Sequence, residues 1–338
     1  MWYNYGNKRT EGGGAPMQPI LYMVIPCYFE EEVLPETAKR LKEKYTYLIE
    51  TKQISPKSKV MFVNDGSTDK TWQIICSLHE SDEIFTGLCL SRNFGHQNAV
   101  LSGLMTAKKY CDIAISMDAD LQDDINAIDK MVEEYKKGND IVYGVRDSRE
   151  TDTWFKRNTA QFFYKFMKFL GVEVVYNHAD FRLMSKRVLD SLEDFDEYNL
   201  FLRGIMPLIG FQSSNVYYAR TERFAGESKY PLKKMLTFAL NAVTSFSVKP
   251  LRIITTLGVT ISIISFLVLL EIVVSKLLGI GNYDWGWPSL ICTVLLTSGI
   301  QIFCLGIIGE YIGKIYSEVK HRPKYVIKEF LDEEKLPH

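Results

Sequence analysis

Two carboxylates one residue apart, Asp118 and Asp120 in Asp118-Ala119-Asp120, follow the run Ile113-Ala114-Ile115-Ser116-Met117, which reads as a strand. At a strand end such a pair can hold a hard divalent cation through oxygen; Mg2+ and Mn2+ accept partial carboxylate cages completed by water and substrate phosphates. Asp65 follows another strand, in Val63-Asn64-Asp65-Gly66-Ser67-Thr68-Asp69. Ser67 or Thr68 is expected to cap the next helix. That turn does not require an acid at 65, so a contact from Asp65 to a base stays open. Pro26-Cys27-Tyr28-Phe29-Glu30-Glu31-Glu32 closes a first strand. The Tyr28 ring can stack on a planar base and Glu30 can accept its hydrogen bonds, although an acidic first helical turn explains the glutamates equally well.

These residues need a scaffold, and the pattern around them supplies one. Ile20–Pro26, Lys59–Asn64, Ile84–Leu90, Asp112–Asp118 and Asp140–Val145 read as strands, and Glu32–Glu50, Thr68–Leu78, His96–Tyr110 and Asp124–Lys137 as the helices between them. This βαβα alternation predicts a mostly parallel α/β sheet covered on both faces. Ligands in such sheets bind at the carboxyl ends of the strands. There the unusual residues fall, including Arg92 in Ser91-Arg92-Asn93.

With 46% apolar residues over 338 positions the chain can build a large core, and its 40 basic and 41 acidic side chains nearly cancel. That balance argues against a nucleic-acid partner. Six cysteines without a C-x-x-C pair give neither a disulfide framework nor a zinc site. Residues 1–19 read as a loose tail with no signal peptide, and residues 20–229 as the catalytic domain. Residues 230–250 mix Lys233 and Lys234 with Leu232, Met235, Leu236 and Phe238, the pattern of an amphipathic interfacial segment. Two uncharged runs follow within 251–313: Ile253–Leu270, extended to about residue 275, and Trp285–Gly309. Their lengths predict two transmembrane helices, with Tyr283, Trp285 and Trp287 as an aromatic belt. Lys249 and Arg252 before them and Lys314, Lys320, Arg322 and Lys324 after them predict a multi-pass protein of the cell membrane, its catalytic domain and 314–338 tail cytoplasmic. Gly299, Gly306, Gly309 and Gly313 would permit close helix approach in a homo-oligomer.

Four ordered motifs together resemble the family 2 glycosyltransferases: Val24-Ile25-Pro26-Cys27-Tyr28-Phe29-Glu30-Glu31, Asn64-Asp65-Gly66-Ser67-x-Asp69, Asp118-Ala119-Asp120-Leu121-Gln122 and Arg223-Phe224-Ala225-Gly226-Glu227-Ser228-Lys229-Tyr230. Within that family the chain is most like the polyprenyl-phosphate group, which holds the bactoprenol glucosyltransferases and dolichol-phosphate mannose synthases. The resemblance implies a GT-A (Rossmann-like) fold, a UDP- or GDP-sugar donor and an inverting transfer. By position it implies that Pro26, Tyr28, Glu30 and Asp65 contact the nucleotide and that Asp118, Asp120 and Gln122 form the metal and diphosphate site. Arg146 and Arg157 fall where the family binds the acceptor phosphate, and Arg223, Ser228 and Lys229 lie in a later phosphate-contacting motif. Asp180 matches an acid near the reacting centre. Phe29, Asp123-Asp124 and His178-Ala179 depart from the family pattern without touching a metal ligand.

The chemistry agrees with the resemblance. A lipid monophosphate is largely dianionic at neutral pH, so it attacks a sugar carbon without a strong base. The demanding steps are bringing two anions together and releasing a nucleoside diphosphate. A metal at Asp118 and Asp120 and the arginines 146, 157 and 223 meet that demand. The sequence expectation is a membrane-anchored hexosyltransferase acting on undecaprenyl phosphate, with Asp120, Asp180 and Arg223 as the catalytic set. UDP-glucose is the first donor, with UDP-N-acetylglucosamine or GDP-mannose as alternatives. A processive polysaccharide synthase fits less well, because no Q-x-x-R-W motif is present. An inactive membrane scaffold would not need the intact acidic residues.

Overall fold

A computed structural model describes residues 18–146, 178–195, 197, 202–219, 249–278 and 286–332. These fall into two compact units. One contains the sheet and the helices packed on it, including residues beyond 323; the other contains two long helices.

The first unit begins with β1 (Leu21–Cys27), buried along its whole length. Its run LYMVIPC shows no polar alternation because both faces of a parallel strand are covered. Alternate residues go to opposite layers. Leu21, Met23 and Ile25 join the core under α1 (Leu34–Glu50), while Val24 meets α3 (His96–Ala107). Helix α1 buries Leu34, Thr37, Ala38, Leu41, Tyr45 and Leu48, a stripe at helical spacing. On α3, a Cβ at Gly103 would lie 2.4 Å from Val24 Cγ1 and 2.8 Å from Val63 Cγ2. Glycine there lets the helix settle directly on the sheet.

Strands β2 (Lys59–Asn64), β3 (Phe85–Leu90), β4 (Ile113–Ser116) and β5 (Ile141–Arg146), with helices α2 (Thr71–Ser81) and α4 (Ala127–Lys136), complete the expected alternation. Helices α1, α2 and α4 start two to three residues later than their sequence pattern, and for the last two a local turn is the reason. Asp69 Oδ1 accepts from the Thr71 amide (3.1 Å) and Asp124 Oδ1 from the Asn126 amide (2.9 Å), so each acid closes a local turn ahead of its helix. The expected cap from Ser67 is absent: its Oγ accepts instead from the Phe29 amide, at 3.2 Å.

Three strands were not anticipated. β6 (His178–Ser185) runs antiparallel between β4 and β5, and β7 (Ser213–Tyr218) pairs parallel with β5. β8 (Ile327–Phe330) closes the far edge, antiparallel to β3. The order is β7-β5-β6-β4-β1-β2-β3-β8. Around β8, Ser91 donates to the Val326 carbonyl (2.9 Å), Lys59 pairs with Asp332 (2.7 Å), and Leu331 packs over Gly87. Between β6 and β7 stand α5 (Lys186–Glu193) and α6 (Leu202–Ile209). The fold is GT-A-like, a mostly parallel α/β sheet, as expected.

The second unit consists, among the described residues, of α7 (Lys249–Leu277) and α8 (Trp287–Val319). Here the sequence expectation is corrected. Among the described residues no helix is long and apolar enough to cross a membrane. The two transmembrane helices, and the multi-pass membrane localisation with a cytoplasmic catalytic domain that rested on them, are therefore not upheld. A span needs about 20 consecutive, predominantly apolar residues within one helix.

Candidate active site

The carboxyl ends of β1, β2, β3 and β4 converge in the first unit. After β1, Tyr28 and Phe29 are exposed and meet edge to face with centroids 4.4 Å apart. Phe29 sits at φ +56°, and the following amides are tied down, Glu30 N–H to Thr71 Oγ1 at 3.1 Å and Lys70 N–H to Glu31 Oε2 at 2.9 Å. This lashes the β1 loop to the β2–α2 loop.

Asp65 is buried and receives the amides of Phe94 (2.7 Å) and Gly95 (3.0 Å). Burial raises its pKa against the opposing pull of those two amides. Gly66 follows at φ +67°, its α-carbon pressed against the main chain of Arg92 and Asn93. The Arg92 guanidinium lies 4.0 Å over the Phe94 ring and donates to the Asn93 carbonyl. The structure thus brings Tyr28, Glu30, Asp65 and Arg92 to one end of the sheet through three interlocked loops.

Beyond β4, Thr37 Oγ1 donates to the Ala119 carbonyl at 2.9 Å, anchoring Asp118-Ala119-Asp120 to α1. Asp120 Oδ1 accepts the Gln122 amide (3.2 Å), and Leu121 between them has φ +56°. Burial, with the neighbouring charges of Asp180, Asp123 and Asp120, raises Asp118 to about 6, although His96 pulls the other way. Asp123 is buried against Arg146 (3.2 Å) and the Tyr218 hydroxyl. Arg146 Nε is buried with no partner among the described residues.

Asp180 on β6 collects cations. Its Oδ1 accepts from Arg182 Nη2 (2.7 Å) and Arg203 Nε (3.0 Å), and its Oδ2 from Arg203 Nη2 (3.0 Å). His96 Nε2, at the start of α3, stands 3.6 Å from both Asp180 Oδ2 and Asp118 Oδ1. Burial opposes ionisation of Asp180, but the nearby His96 imidazole and the charges of Arg203 and Arg182 outweigh it and hold the carboxyl well below its ordinary range. His96 is correspondingly raised: burial lowers it, and Asp180 and Asp118 prevail.

Arg157, Arg223, Ser228 and Lys229 lie outside the described residues. Three residues near the expected set were missed: His96, Arg182 and Arg203. Arg182 was within reach, since residues two apart on a strand share a face and Asp180 had been singled out. Among the described residues no group of three or more His, Cys, Asp or Glu is placed to hold a metal ion. What assembles is a cluster of opposite charges, in which Asp118, Asp123 and Asp180 stand among His96, Arg146, Arg182 and Arg203.

The profile of glycosyl transferase family 2 matches residues 22–193. The uncharacterized glycosyltransferase YkoT of Bacillus subtilis (strain 168) is 53% identical, over 94% of this chain and 94% of that protein. The bactoprenol glucosyl transferase of Shigella phage SfV is 40% identical, over 90% of this chain and 97% of that enzyme. The prophage bactoprenol glucosyl transferase homolog of Escherichia coli (strain K12) is 38% identical over the same shares.

Proposed function

The chain belongs to glycosyl transferase family 2, and from that premise we propose that it moves glucose from UDP-glucose to the phosphate of undecaprenyl phosphate, with inversion. The observation that carries this reading is the saturation of Asp180. A carboxylate locked by Arg182 and Arg203 and held far below its usual pKa does not take a proton from a sugar hydroxyl near neutral pH. An acceptor already ionised needs no such help, and a phosphate monoester has its second pKa at about 6. The likeness to bactoprenol glucosyl transferases over nearly their full length supports the same acceptor class.

In this reading Pro26, Tyr28, Glu30, Asp65 and Arg92 receive the nucleotide, and Asp118, Asp120 and Gln122 the diphosphate. Asp180 anchors cations instead of acting as a base. Arg146, whose buried Nε beside Asp123 has no partner among the described residues, is assigned to the acceptor phosphate; the roles of Arg157, Arg223, Ser228 and Lys229 there rest on the sequence motifs alone. The donor set also fits a hard cation: Asp118 is raised by burial and, less, by neighbouring carboxylates, and Mg2+ takes one or two carboxylates plus substrate phosphates. Mg2+ or Mn2+ held by Asp118 and Asp120 would neutralise the departing diphosphate.

The test offers detergent-dispersed undecaprenyl phosphate and a panel of nucleotide sugars to the purified chain. UDP release from UDP-glucose that requires the lipid is the expected result. Release only with a hydroxyl acceptor, or no lipid-dependent release from any donor, would refute the reading.

A further inference from the structure

Arg203 reaches the site from α6 and spends two donors, Nε and Nη2, on the two oxygens of Asp180. Among the described residues nothing accepts from its Nη1, and the side chain keeps 39% exposure. Arg182, bound to the same carboxylate, is only 3% exposed and closed off. Arg203 also feels Asp118 and Arg146, the expected metal ligand and the expected acceptor-phosphate residue.

We propose that Arg203 is a phosphate-binding residue, presenting the part of its guanidinium that Asp180 does not use to the donor diphosphate or to the acceptor monophosphate. A guanidinium has five donors in a rigid plane. The two-point contact with Asp180 fixes that plane in advance, so the side chain need not lose freedom when an anion arrives. Asp180 is then a positioning residue that acts through Arg203. His96, 3.6 Å from both Asp118 and Asp180, places a third cation between the two carboxylates, so the charge balance around Arg203 tolerates an incoming anion. The two phosphates are those of the function proposed above, and the inference rests on that reading for their identity.

Two probes, inorganic pyrophosphate with Mg2+ and geranyl phosphate, distinguish the sources by calorimetry on the full chain without turnover. Arg203→Gln should bind one of them at least about tenfold more weakly, as loss of a charge-assisted contact implies. Weakened pyrophosphate assigns the donor side, and weakened geranyl phosphate the acceptor side. Arg203→Lys covers the case in which the glutamine variant does not fold. It keeps a cation on Asp180 and the parent melting temperature, yet one ammonium cannot reproduce the two-edged geometry, so binding should still fall at least about fivefold. Parent-like affinity for both probes in whichever variant folds would overturn the proposal, as would a parent chain that binds neither. Failure of the parent to transfer sugar to undecaprenyl phosphate would refute the function and leave these affinities to be read separately.

Discussion

Replacing Gly66 by alanine adds one carbon at the point where two loops of the site touch. A Cβ there would lie 2.4 Å from the carbonyl carbon of Arg92, 2.5 Å from the amide nitrogen of Asn93 and 2.8 Å from the α-carbon of Arg92. All three are main-chain atoms, so no rotamer relieves the overlap. Carbon atoms rest comfortably at about 3.5 Å, which requires the loops to part by about 1 Å. Alanine at the left-handed φ of +67° costs about 1–2 kcal/mol, and forced expansion of a packed region about 1–3 kcal/mol. The sum, about 2–5 kcal/mol, should appear in the urea midpoint. The same separation draws the Phe94 and Gly95 amides away from Asp65, where they now stand at 2.7 and 3.0 Å. UDP affinity, measured by calorimetry on the folded variant, should fall at least about tenfold, some 1.4 kcal/mol. Stability within about 0.5 kcal/mol of the parent, together with unchanged UDP affinity, would refute the argument.

Two further outcomes follow from the charged residues. Asp118 is raised to about 6 in the fold, so its ionisation costs stability above that pH and nothing below the ordinary carboxylate range. Asp118→Asn should therefore raise the melting temperature of the metal-free protein at neutral pH, leave it unchanged near about pH 4, and abolish transfer. A lower melting temperature at neutral pH would show that pairing with His96 outweighs burial and the neighbouring carboxylates. Asp180 is held well below its usual value, so its contribution is complete above the ordinary carboxylate range and disappears only as pH falls through the lowered pKa. Asp180→Asn strands the buried Arg182 charge and should cost about 3–5 kcal/mol in urea unfolding, much of it recovered by adding Arg182→Met. A loss under about 1 kcal/mol would contradict the burial of that pair.

The parts of the fold legible in the sequence are those whose signals are local. The strands that became β1 to β5 are apolar runs bounded by turns, and their ends carried Asp65, Asp118 and Asp120, each placed as read. β6 was illegible for a different reason. Asp180 and Arg182 alternate with Phe181 and Leu183, and two charges on one face give no local sign of burial. That face is instead buried, because Asp180 is neutralised by residues from α3 and α6 far away in sequence. No local pattern encodes such a partnership, so Arg203 and His96 went unnoticed while Asp180 did not. The run Ile327–Phe330 is too short and too charged to announce an edge strand.

The pairing of β8 with β3 has a consequence for the order in which the molecule can be made. On the ribosome, β1 to β3 emerge early, and β4 to β7, together with both long helices, follow before β8 exists. Until then the outer edge of β3 offers unpaired amides and carbonyls to any passing strand, and the space over Gly87 lacks Leu331. The sheet can assemble from its centre outward during synthesis, but its last edge must wait for a segment translated after the entire second unit. Biogenesis of the two units is therefore interleaved: the sheet-bearing unit is opened first and finished last, and a nascent chain stalled in α8 carries an unsealed edge.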